Sequence, residues 1–411
     1  MYKPYTAVQG TNFPEPPTSS ADSSRGFHVG FEWFDTAANV MYRCVDASYN
    51  AAVWVAEARN IDNIRRLLSL SDAARDNNPY QRPVATGVTV TVSASTDATL
   101  ATAIPFISSN ALSSTAVNKI AWYGGVPTPY GSPTAAYVSM PVASVLPSVT
   151  GNLSAGANAF GLTADMNALS HAMEFWTDSD VVELCLTTNN VKKTFIQIDG
   201  QYTSLAGHTG TGSTADNFFK LDFGGVKRPR RIRVMGSSIT SAGNTTFYKS
   251  IRIKANCDIW KPDLSRVVRI GWAWDSYGEG FNGATTVIPI ANAPAAIIAS
   301  ELMGFRDPRQ LCVGSTGYLA TNGGLRSKLR DQVARWTAHL PLDVLVIGHG
   351  YNDKTFGATA VQAEVALVLP VVRALLPNTP IVVLGVQAGN SGPDQTTLDV
   401  ENAIKASVVA A

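Results

Sequence analysis

Towards the C-terminus, the run Asp343-Val344-Leu345-Val346-Ile347 is almost unbroken in apolar residues and lies between two stretches of helical spacing. A strand of that kind is apolar on both faces, so it needs a covering layer on each side. Helix–strand–helix order supplies those layers when the strands run parallel, because every crossover helix returns over a face of the sheet. The neighbouring segments repeat the unit. Val267-Val268-Arg269-Ile270-Gly271-Trp272 is strand-like, Asn292 to Met303 reads as a helix with Asn292 as its N-cap, and Gln310-Leu311-Cys312-Val313 is the expected second strand. Leu325, Leu329, Val333, Trp336 and Leu340 then share one helical face. Thr359 to Leu376 is helical with a kink at Pro370, Ile381-Val382-Val383-Leu384 is a strand, and Leu398 to Ala410 is a helix. Residues 266–411 are therefore expected to form an α/β domain around a doubly wound parallel sheet.

Upstream the period changes from helical to two. Between residues 86 and 265, Val, Thr, Ser and Ala alternate with frequent Gly and Pro, as in Val88-Thr89-Val90-Thr91-Val92, Thr194-Phe195-Ile196-Gln197-Ile198 and Arg231-Ile232-Arg233-Val234. Many short alternating strands with turn signals predict a β-sandwich. Residues 1–85 begin with an arm rich in Pro, Ser and Thr and continue into a small β/α module. Trp33, Tyr42 and Trp54 are expected to be buried there, and Ile61, Ile64, Leu67 and Leu68 recur at helical spacing. The chain is thus read as multidomain.

Charge narrows the partners. Lys and Arg number 32 against 31 Asp and Glu, which argues against an electrostatic nucleic-acid binder. The basic run Lys227-Arg228-Pro229-Arg230-Arg231-Ile232-Arg233 is expected to be a solvated sheet edge. The apolar stretch from Val287 to Ile298 is too short and too interrupted to span a membrane, and the start lacks an apolar signal-peptide core. Cys44, Cys185, Cys257 and Cys312 lie far apart, with neither a metal-ligand spacing nor a disulfide framework. A chain folded in a reducing cytoplasm is expected, with no metal or cofactor.

Chemistry in a parallel sheet gathers at the carboxyl ends of its strands. After the first strand comes Trp274-Asp275-Ser276-Tyr277-Gly278-Glu279-Gly280, a tight strand-to-helix turn that can expose a serine hydroxyl. Gly314-Ser315-Thr316-Gly317-Tyr318 follows the second, and its backbone N–H groups could face a developing oxyanion or cradle a phosphate. Gly348-His349-Gly350-Tyr351-Asn352-Asp353 follows the third, where Asn352 can donate an amide hydrogen and Asn352-Asp353 can equally cap the next helix. Met235-Gly236-Ser237-Ser238 has a similar look, but alternating residues follow it, so Ser237 and Ser238 are read as turn residues of the sandwich.

The three loops, in this order and separation, resemble the first three blocks of the SGNH (GDSL-like) hydrolase family. The resemblance covers Val267 to the end and implies a flavodoxin-like three-layer domain with serine esterase activity, often on acetylated carbohydrate. Ser276 would be the nucleophile. Its own N–H, the N–H of Gly314 or Ser315, and the Asn352 side chain would form the oxyanion hole. Two positions depart from the pattern: Trp274 and Ser315 stand where similar sequences have glycine. The family's Asp-x-x-His after a fifth strand is also missing, since Asp394-Gln395-Thr396-Thr397 ends in threonine. His28, His171 and His208 lie outside the α/β region, His339 is at a helix C-terminus that favours a cation, and His349 is the one alternative base in the domain. The sequence is accordingly expected to be the front part of a longer polypeptide whose tail carries the base.

The stretch from Met173 to Pro262 is similar to the sandwich that precedes the catalytic domain in some SGNH esterases, with Trp176 and Trp260 as core, interdomain or sugar-stacking residues. Gly30 to Thr36, Tyr42 to Asp46 and Ala51 to Trp54 resemble a short β-module of bacteriophage tail and virion proteins. Together these resemblances imply a phage tail appendage, assembled in the host cytoplasm, that removes acyl groups from a host surface polysaccharide. Its partners would be acetylated cell-surface polysaccharide and other virion proteins, and by analogy it would be a homo-oligomer, a trimer. The alternatives are a receptor-binding virion protein whose hydrolase-like domain only binds glycan, and a bacterial polysaccharide esterase outside any virion.

Overall fold

The computed structural model describes residues 10–13, 16–29, 31–35, 40–57, 84–108, 111–125, 127–130, 137–139, 168–188, 193–211, 215–238, 247–264, 267–279, 295–321, 327–387 and 392–410. The chain divides into two compact units, Met1–Ser69 and Leu70–Ala411. The first is a four-stranded sheet of Gly10–Phe13, Glu32–Asp35, Val40–Asp46 and Val53–Glu57 in sequence order. Phe27, Phe31, Trp33 and Trp54 pack edge-on or tilted against one another. Trp33 is buried as expected, whereas Tyr42 and Trp54 are only half-buried. Ile61, Ile64, Leu67 and Leu68, together with Asn292 and Leu325, lie outside the described residues.

The second unit begins with the sandwich. One sheet centres on Phe247–Ile253, Val181–Thr188 and Ala215–Asp222, the other on Lys193–Ile198, Arg230–Ser238 and Ala168–Thr177. Period two sends Met173, Phe175, Ile232 and Val234 inward from one sheet to meet Val182, Leu184, Phe219 and Ile251 from the other. Arg230–Ser238 lies between two other strands, so it is not an edge. The basic run is accordingly only half solvated. Arg230 is buried, donating to the Arg228 and Val226 carbonyls, and Arg233 is buried on the outer face of its sheet. Ser237 and Ser238 belong to this strand and are not turn residues.

The α/β domain follows with strands β1 (Arg269–Ala273), β2 (Asp307–Gln310), β3 (Val344–Ile347) and β4 (Ile381–Val383), all parallel in the order β2-β1-β3-β4. All four residues of β3 are buried, as its apolar run requires. The crossovers are α1 (Ala295–Leu302), α2 (Leu329–Val333) with a 3-10 turn to His339, and α3 (Ala358–Leu375), and the chain continues from β4 into α4 (Gln395–Ala410). By length and apolarity alone α3 would also suit a bilayer. Val361, Val365, Val368 and Val372 instead place one face of it in the core with Leu345 and Ile347.

The second strand lies three residues before the apolar run expected for it. All of Asp307-Pro308-Arg309-Gln310 is buried although three of the four residues are polar. The ladder does continue irregularly, since the N–H groups of Leu311 and Val313 donate to the carbonyls of Trp272 and Trp274. Charge can be buried at β2 because the sandwich covers this edge and satisfies it. Gly124 N–H donates to Asp307 Oδ1 at 2.8 Å, and Arg309 donates to the Gly125 carbonyl at 2.7 Å and to Asp307 at 2.9 Å. Arg269 Nε adds a 2.6 Å bond to Asp307.

Nearby, the fully buried Glu174 of the sandwich accepts from Arg306 and lies 3.5 Å from Arg233, while Tyr202 donates to Glu301 of α1. His339 is buried beside this cluster. Burial, and then the charge of Arg309, push its imidazole down to about 4, so it is held neutral and not as the cation its helix end suggested. Trp176 stands opposite Trp260 on the outer face of the same sheet, with ring planes 8° apart and Trp260 37% exposed.

Candidate active site

Three loops converge at the carboxyl ends of β1, β2 and β3. The first turns sharply at Asp275 into the short helix Ser276–Glu279. Trp274, which replaces the usual glycine, fits by laying its indole over Gly348, where a Cβ would come within 2.7 Å of the ring, and by stacking on Trp272. Gly278 is required as glycine, because a Cβ there would meet Trp274 at 2.6 Å and Cys312 at 2.7 Å. Ser276 is half-buried, and its hydroxyl makes no hydrogen bond among the described residues. Asp275 is fully buried, and its Oδ1 accepts the Tyr277 N–H at 3.0 Å. Burial raises its carboxyl to about 7, with the nearby charge of Asp353 adding to the rise.

The loop after β2 turns through Ser315, which has a left-handed φ of 57°. That explains why similar sequences carry glycine there. Ser315 is exposed while Gly314 and Thr316 are buried, and its N–H donates to no group among the described residues. The expected backbone donor is therefore presented at the surface of the loop.

The third loop stitches the other two together. Asn352 Nδ2 donates to the Thr316 carbonyl at 2.9 Å and lies 3.4 Å from Asp275 Oδ2, so one amide touches both neighbouring loops. Asp353, read from sequence only as a helix cap, is fully buried and accepts three backbone N–H groups, from Tyr318 at 2.8 Å, Leu319 at 2.8 Å and Ala320 at 2.9 Å. Its carboxylate fills the space where a Gly317 Cβ would sit, which would lie 2.2 Å from Oδ2. A glycine and an acid 36 residues apart were the only sequence trace of this contact. Ser276, Gly314, Ser315 and Asn352 thus lie on loops that Asp275, Thr316 and Asp353 hold together.

His349 is not hydrogen-bonded to Ser276. It is fully buried and edge-on to Tyr318 at 6.1 Å between ring centroids. Burial pushes it down to about 4 against the opposing charge of Asp353. His171 is buried in the sandwich near Tyr248, and His208 is bonded to Thr203.

No protein-family profile matches the sequence, and no curated protein matches it. Solved structures similar to this chain include a salicylyl-acyltransferase from a tetracycline biosynthetic pathway, 14% identical with a TM-score of 0.47 over 71% of this chain and 78% of the other. A family two carbohydrate esterase from Cellvibrio japonicus is 13% identical, with a TM-score of 0.46 over 58% of this chain and 76% of its own. An acetyl xylan esterase from the rumen bacterium Butyrivibrio proteoclasticus is 13% identical, with a TM-score of 0.45 over 75% and 88%.

Proposed function

We propose that this chain is a serine esterase of SGNH type, carried on a phage tail appendage, that removes O-acetyl groups from a host surface polysaccharide. The observation that supports it most is the Asn352 amide, which reaches both Asp275 on the turn that carries Ser276 and the Thr316 carbonyl on the loop that carries Ser315. Ser276 Oγ attacks the ester carbonyl while a base takes its proton. The carbonyl oxygen becomes an oxyanion held by the N–H of Ser315 or Gly314 and by Asn352. Collapse expels the sugar hydroxyl, which takes up the proton, and water then releases acetate from the acyl-serine.

The proton carrier in this reading is a histidine, and among the described residues no histidine is hydrogen-bonded to Ser276.

The test is acetate release from acetylated polysaccharide by the full-length protein. Ser276→Ala should lower the rate by roughly 10³-fold or more. Equal rates overturn the esterase reading. The missing partner for Ser276 favours a second reading, a receptor-binding virion protein whose α/β domain binds glycan without cleaving it. In that case Ser276→Ala leaves cell binding intact and no acetate appears from either protein.

A further inference from the structure

Asn352 as an oxyanion donor has a difficulty that its surroundings resolve. A side-chain amide carries two hydrogens. One is committed to the Thr316 carbonyl at 2.9 Å, and the other side of the nitrogen faces Asp275 Oδ2 at 3.4 Å. A substrate oxyanion needs one of them, and the longer contact is the one to yield. Among the described residues no cation pairs with Asp275, and its carboxyl meets only the Tyr277 N–H and the Asn352 amide. Asp353 on the third loop acts on it as a like charge, and Tyr277 on its own turn is raised in part by Asp275. His349 and Tyr318, from the third and second loops, are shifted first by burial and then by the charge of Asp353.

We propose that Asp275 is a positioning residue that serves the reaction as a neutral acid. With a proton on Oδ2 it no longer accepts from Asn352, and the freed amide hydrogen turns to the developing oxyanion. The same proton removes a buried negative charge beside the turn where that oxyanion forms, a charge that would oppose it in a low-dielectric setting. Ionised Asp275 does the opposite and holds the amide to itself. The inference deepens the Ser276 and Asn352 reading and rests on it. Burial of the carboxyl places the exchange between the two states in the neutral range.

The test reads the two groups directly by NMR, in the full chain labelled with ¹³C at Asp carboxyls and ¹⁵N at Asn amides. The Asp275 carboxyl and the Asn352 side-chain amide should shift together with one midpoint near pH 7, and Asp275→Asn should leave the Asn352 signal flat from pH 5 to 9. A midpoint near 4 for Asp275, or an Asn352 signal that ignores it, overturns the proposal. The unaltered protein carries the first measurement, so poor folding of the variant leaves the question decidable. Repeating the titration in Ser276→Ala separates the two readings, because the coupled midpoint should persist there whether or not acetate is ever released.

Discussion

The most exacting consequence of the structure concerns Asp353→Asn. Three backbone N–H groups converge on this buried carboxylate at 2.8, 2.8 and 2.9 Å. Hydrogen bonds to an ionised group contribute about 1.5–3 kcal/mol each and neutral ones about 0.5–1.5. An asparagine can keep its oxygen on Leu319 and Ala320, losing about 1 kcal/mol at each bond as the charge disappears. Its NH₂ then faces the Tyr318 N–H donor to donor, which loses the third bond and strands a buried group, for about 1–3 kcal/mol more. The sum is about 3–5 kcal/mol of loop stability. At 1.4 kcal/mol per tenfold, amide exchange in a peptide spanning 316–321 should speed up between roughly 150- and 4,000-fold. Hydrogen exchange read by mass spectrometry measures this without assuming that so large a protein unfolds in one step. Gly317→Ala should act on the same contact from the other side, because its Cβ would take the carboxylate's place. Unchanged exchange of that peptide in both variants would refute the idea that Asp353 organises the loop.

Other outcomes follow from the same geometry. Arg306→Met leaves the buried Glu174 short of its closest partner and should lower stability by about 3 kcal/mol in denaturant unfolding, whereas the double change with Glu174→Gln should recover much of that loss. Ser315→Gly relieves a left-handed φ but adds freedom to the unfolded chain, so stability should move by no more than about 0.5 kcal/mol and any acetate release should be kept. His339 is neutral when folded with a pKa near 4, against 6.5 when unfolded. Its contribution is therefore whole above pH 6.5 and is lost as pH falls towards 4. His339→Gln should reduce the fall in unfolding free energy across that window by about 3 kcal/mol.

Much of the α/β layer was legible because its signals are local. β3 announced itself through an apolar run, α3 through apolar residues every three or four positions, and β1 and β4 lay within a residue or two of where alternation put them. The shift at β2 has a different origin. Asp307 and Arg309 make poor strand residues until Gly124, Gly125 and Arg269 arrive to satisfy them, and those partners come from elsewhere in the chain. The basic run misled in the same way, since Arg233 is buried only because Glu174 and the Arg306 carbonyl receive it. At the site, loop order and residue type pointed to Ser276, Gly314, Ser315 and Asn352. The residues that hold those loops together did not stand out: Asp275 looked like part of a turn, and Asp353 looked like a cap. Partners 30 or more residues apart leave no periodic trace.

The polar seam along β2 also bears on how such a protein can change over time. A domain whose edge is sealed by its own apolar residues can be cut out and joined to new neighbours with little penalty. Here the edge strand presents an aspartate and an arginine that the sandwich helps to satisfy through Gly124 and Gly125, and the sandwich in turn keeps a buried glutamate that Arg306 beside this edge helps to neutralise. Separated, each half would lose some of the partners of its buried charge, and a foreign companion would have to supply them again. Recombination should therefore exchange the two as one inheritance unit, leaving novelty to arise in the loops at the far ends of the strands.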